Sequence, residues 1–179
     1  MIICAGKNET FSFAEPIGVG LIESAMNLTR MCLFDKPDFL LFIGSAGSYT
    51  KDHKIFDIVE SSTAANIELS FFNNDSYTPL DNVLNSQTKM VENQTIVNSS
   101  NYISTNFDLA QNYLKHNIKI ENMEFYSLLQ IAKEFEIEIG GIFVITNYTD
   151  ENAHEDFMKN HIEAMKKLTN YLVKKNIIK

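Results

Sequence analysis

The chain has no tryptophan, only three prolines, seven glycines and two cysteines, and a single arginine, Arg30. So little proline and glycine excludes collagenous and low-complexity architectures. The cysteines, Cys4 and Cys32, form neither a CxxC pair nor a disulfide framework, and both are expected as reduced core residues. No apolar run approaches the ~20 residues that a transmembrane helix needs. The opening Met1-Ile2-Ile3-Cys4-Ala5-Gly6 carries no basic leader, and a cytoplasmic location is expected. Basic residues are also scarce: 15 Lys+Arg against 23 Asp+Glu gives a net charge of −8. Such a surface repels phosphate backbones, which argues against a nucleic-acid partner. One arginine leaves little for bidentate phosphate recognition. The four histidines show no metal-ligand spacing and there is no HExxH, so no metal is expected. Gly18-x-Gly20 opens like a dinucleotide fingerprint, but Glu23 stands where the third glycine is required.

What is present is an ordinary globular balance, with 45% hydrophobic and 21% charged residues in 179. That length fits one domain, spanning 1–179. Residues 1–5 predict a short buried strand. Leu21, Ala25, Leu28 and Cys32 recur at helical spacing up to the stop at Pro37. Asp38 to Ile43 is almost wholly apolar, as in a strand covered on both faces, and runs directly into Gly44-Ser45-Ala46-Gly47-Ser48. Strand-like segments follow at Ile55–Glu60 and Thr63–Phe72, then a polar, irregular stretch over 73–95. A strand near Thr95–Val97, a helix capped by Asn106, and an extended Ile118 to Met123 come next. A helix from Glu124, a strand over Ile142 to Thr146 and a last helix from about Ala153 to Lys174 complete the pattern. Strands alternating with helices predict an α/β fold, a three-layer α/β/α sandwich around a central mixed sheet. Ligands in such sheets sit beyond the carboxyl ends of the strands.

Three polar segments fall at such ends. In Gly44-Ser45-Ala46-Gly47 the glycines let backbone approach a ligand, or simply make a tight turn. Glu124, after Met123, can accept bonds from vicinal hydroxyls or serve as a first-turn acid of its helix. Asp150, closing Val144-Ile145-Thr146-Asn147-Tyr148-Thr149, can act as an acid or as a helix cap.

Taken in order, Gly18-Val19-Gly20, Pro37-Asp38-Phe39, Gly44-Ser45-Ala46-Gly47, Asp57-Ile58-Val59, Asn101-Tyr102-Ile103, Asn122-Met123-Glu124 and Thr149-Asp150 resemble one family. It is the superfamily of purine nucleoside phosphorylases and methylthioadenosine/S-adenosylhomocysteine nucleosidases, and the chain looks like a shortened member. The resemblance implies cleavage of the N-glycosidic bond of a purine nucleoside in nucleoside salvage. It places Ser45 and Gly47 near the ribose and the anion or water site, and Tyr102 with Ile103 on the base. Met123 would lie under the ribose and Glu124 would hold its hydroxyls. Asp150, with Thr149 beside it, would protonate the purine at N7. An ordinary aspartate has a pKa of about 3.9, so that acid must be raised by burial. General acid help typically contributes about 10²–10⁴ in rate.

Two family arginines are replaced here, by Phe42 and Thr146, and Glu9 is the nearby candidate for a water-activating glutamate. No cofactor is implied, with inorganic phosphate the alternative co-substrate to water. Family members are oligomers, so a dimer or higher homo-oligomer is expected. The competing reading is a non-catalytic nucleoside- or adenine-binding homologue, or a structural subunit, that lost the phosphate or water site.

Overall fold

A computed structural model describes residues 1–179. The elements, in chain order, are β1 (Ile2–Cys4), β2 (Glu15–Pro16), α1 (Gly20–Phe34), β3 (Phe39–Ser48), β4 (Ile58–Ser61), β5 (Thr63–Ala65), α2 (Leu69–Phe72), β6 (Val83–Asn85), β7 (Ile96–Ser99), α3 (Phe107–Leu114), β8 (Ile118–Asn122), α4 (Phe125–Glu134), β9 (Glu138–Tyr148) and α5 (Ala153–Lys174). The nine strands form one mixed sheet. No helix is long and apolar enough to cross a membrane.

Period-two alternation assigns each strand residue to a layer. In β3, Leu40 and Phe42 enter a core shared with Leu28 and Cys32 of α1 and with Leu128, Leu129 and Ala132 of α4. Leu41 and Ile43, pointing the other way, pack with Ala164, Leu168 and Leu172 of α5. Likewise Ala64 faces the α1/α4 layer while Ala65 packs with Ala110 and Tyr113 of α3. Both faces of β3 are thus covered, which is why its sequence is a continuous apolar run. Behind it Phe42, Phe125 and Phe143 interlock, with Phe125 and Phe143 edge to face at 5.1 Å between centroids. Gly141 makes the room. A Cβ there would lie 2.5 Å from the Phe143 ring and 2.8 Å from that of Phe125.

Two irregularities interrupt the sheet. The first is a fork. β3 pairs along its whole length with β9 on one edge. Its other edge is shared: β1 takes Leu41–Ile43 in parallel, and β8 takes Gly47 and Ser48 antiparallel. Between these arms the backbone around Ser45 has no strand partner. The second is a bulge. Ala46 pairs with Ile145, but Gly47 pairs with Asn147, so Thr146 is an extra residue in β9.

The structure corrects several sequence expectations. Gly44–Ser48 is not a turn but the second half of β3, because β9 continues beside it. Thr63–Phe72 divides into β5 and the short α2: the Asn66 N–H still bonds the Asn82 carbonyl in register with β6, and the Ile67 N–H then turns to the Asn98 side chain. The polar stretch 73–95 contains β6, paired antiparallel with β5. Asn106 caps α3 as expected, its side chain accepting from the Leu109 N–H at 3.1 Å.

Candidate active site

The fork opens into a crevice of about 250 Å³ at the carboxyl ends of β1, β3, β7, β8 and β9. Its backbone polar groups must find partners other than a strand. The Ser45 N–H donates to Glu9 Oε1 at 2.7 Å, and the Ser45 carbonyl accepts from Asn122 Nδ2 at 3.1 Å. Glu9 reaches there from a tight turn closed by its own N–H to the Gly6 carbonyl. It is 7% exposed, and burial pushes its carboxyl above the usual range against the pull of Ser45.

Glu124 faces it. Asn122 Oδ1 accepts from the N–H groups of Glu124, the N-cap of α4, and Phe125 at 2.9 and 3.0 Å, which fixes Glu124 at the junction of β8 and α4. Its Oε1 accepts the Gly20 N–H at 2.8 Å, one of the amides left unpaired at the start of α1. Gly20 is required there. Its φ is +83°, and a Cβ would lie 2.7 Å from Asn101 Oδ1. The start of α1 favours negative charge, yet Glu124 is only 2% exposed. Burial first, then the Glu9 carboxylate nearby, raise its pKa to about 8. Two buried carboxyls thus look across one cleft.

Seven of the expected site residues line this crevice: Glu9, Ser45, Gly47, Tyr102, Ile103, Met123 and Glu124. Tyr102 and Ile103 stand at the rim, 85% and 47% exposed. The remaining two do not line it. Thr149 is fully buried. Asp150 closes the turn before α5, its Oδ1 accepting the Asn152 N–H at 3.0 Å. The β9 residue on the wall is Asn147, brought opposite Gly47 by the bulge and 5% exposed. Its Oδ1 accepts from the Thr146 hydroxyl at 2.8 Å and its Nδ2 donates to the Tyr148 carbonyl at 3.0 Å. One amide hydrogen stays available to the crevice. His154 and Phe157 of α5, one turn apart, complete the wall. Sequence reading missed Asn147, His154 and Phe157. Their only signal was an Asn after an apolar strand and an aromatic on the inner stripe of α5. Lys7 is the one lysine on the lining, against Glu9, Glu121 and Glu124.

Fold and crevice together define an α/β protein with a buried-carboxylate site where its central strands end. The chain belongs to the phosphorylase superfamily, whose family model matches residues 2–175. Among solved structures it is similar to a 5′-methylthioadenosine/S-adenosylhomocysteine nucleosidase of Helicobacter pylori (TM-score 0.81, 15% identity, 97% of this chain and 95% of that one). A futalosine hydrolase of the same organism gives 0.79 and 16%, over 96% and 94% of the two chains. A nucleosidase of Streptococcus pneumoniae in complex with 8-aminoadenine gives 0.77 and 15%, over 96% and 95%. A comparison with curated proteins finds no match.

Proposed function

We propose that the protein cleaves the N-glycosidic bond of a purine nucleoside, with water as the acceptor. The observation that carries this is the pair Glu9 and Glu124, buried and facing across one crevice with an aromatic side chain at its rim. A ribosyl group losing its base becomes cation-like, and carboxylates beside it stabilise that charge in a water-poor site. Glu124 takes the ribose hydroxyls. Those donors lower its pKa, so binding expels a proton from it. Met123 lies against the sugar, and Tyr102 with Ile103 covers the base.

Glu9 is the base for water. Held by the Ser45 N–H, it has a second oxygen for a water hydrogen, and its raised pKa makes it a better base than an ordinary glutamate. The charge of the wall favours water over phosphate. The carboxylates on the wall repel a dianion, and Lys7 is the one lysine there to attract it. Asn147 faces the departing base in the place first expected for Asp150. A carboxamide stabilises negative charge at N7 by donating a hydrogen bond but cannot give up a proton.

That same carboxamide favours the second reading, a homologue that binds nucleosides without cleaving them. Base release separates the two. Inosine, adenosine and methylthioadenosine are incubated with the protein, with and without phosphate, and free base is measured. Release independent of phosphate is expected. Release only with phosphate makes the protein a phosphorylase, and saturable binding without release establishes the second reading.

A further inference from the structure

The crevice wall holds a third carboxylate, the half-buried Glu121, to which the proposed cleavage gives no role. It sits on β8 opposite Gly47, at the upper arm of the fork. Its Oε1 accepts the Ser104 N–H at 3.0 Å. Its Oε2 accepts the Ser104 hydroxyl at 2.6 Å and the Tyr49 hydroxyl at 2.8 Å. Both oxygens are therefore engaged by the protein, which leaves little of the group for a ligand.

What lies on either side of it is unequal. Behind, Tyr49 is fully buried and stacked on Tyr113, with ring centroids 4.4 Å apart and planes within 10°. Tyr113 is tied in turn to the Ile67 carbonyl at 2.8 Å. That side is rigid core. In front, Ser104 belongs to the segment between β7 and α3. This segment carries Tyr102 and Ile103 at the rim, where they pack against little. Its other tether is Asn101, whose Oδ1 accepts the Leu21 N–H of α1 at 2.9 Å. Two tethers three residues apart thus bracket the aromatic side chain.

The geometry points to Glu121 as a positioning residue, a carboxylate anchored in the core that locks residues 101–104 so that Tyr102 and Ile103 stand ready over the crevice. This rests on the nucleoside reading, in which those two cover the base. The lock depends on charge, because hydrogen bonds to a carboxylate are about twice as strong as neutral ones. A preset loop binds more tightly than one that must be ordered by the ligand.

Hydrogen exchange on the peptide spanning 100–106 tests the lock in the free protein. Glu121→Gln should exchange there about tenfold faster, with β3 unchanged. Affinity for free adenine and hypoxanthine, measured by calorimetry, should fall about tenfold. In turnover the loss should appear in KM and leave kcat within about twofold. Should Glu121→Gln fail to fold, Ser104→Ala removes only the 2.6 Å bond and should show the same pattern more weakly, restored by Ser104→Thr. Unchanged exchange over 100–106 overturns the lock. Faster exchange with unchanged base affinity overturns the positioning role. If the unaltered protein binds neither base, the nucleoside reading fails and the positioning role with it, while exchange still decides whether the lock exists.

Discussion

Replacing Glu124 by glutamine should remove a pH dependence of folding stability that the buried carboxyl creates. In the unfolded chain this group titrates near 4.5, and in the fold near about 8. Between those values the folded state holds a proton that the unfolded state has released, so stability falls as pH rises. The full contribution is present below pH 4.5 and gone above about 8. With about 1.36 kcal/mol per pKa unit, the loss between about pH 6 and about pH 8.5 comes to about 2–3 kcal/mol. Glutamine keeps an acceptor for the Gly20 N–H and has no proton to lose. Urea unfolding of the two proteins at the two pH values gives the difference of differences, in which other titrating groups such as His53 cancel. The expected result is a wild-type protein that weakens by that margin relative to Glu124→Gln. Equal pH slopes would refute the reasoning, and would mean that water reaches Glu124 freely enough to keep it an ordinary acid.

The wall of β9 separates two further outcomes. Asn147→Ala should abolish base release, while Asp150→Asn should leave kcat within about threefold and stability little changed, because the carboxamide oxygen still accepts the Asn152 N–H; the reverse order in a base-release assay restores Asp150 as the acid. Gly141→Ala should destabilise the fold by about 3 kcal/mol or more in thermal unfolding, because its methyl meets the packed rings of Phe143 and Phe125.

Much of the architecture was legible because β3 and β9 are buried on both faces and α5 carries a clean apolar stripe. The Met123-Glu124 pair was legible because a strand end running into a helix start is a local event, marked by Asn122. The site's other half, Glu9 and Ser45, was named through the family resemblance alone and not by any local pattern. Glu9 meets Ser45 only because the sheet forks, and the split of one strand edge between β1 and β8 has no local signature. Likewise Gly44–Ser48 reads as a turn by its glycines and becomes strand because β9 runs beside it. Asn147 was passed over for Asp150 because a bulge is decided by pairing, not by the strand's own residues. The two stand three residues apart in one polar segment, and only the ladder tells which one turns inward.

That extra residue in β9 carries an evolutionary consequence. Had the ladder continued in step after Ile145, Thr146 would stand opposite Gly47 and a hydroxyl would occupy the wall where the carboxamide now is. The pairing register at this point, and not only the residues present, therefore decides which functional group a ligand meets. Relatives that keep these residues but close the bulge by a shift of pairing would present a hydroxyl there in place of the carboxamide.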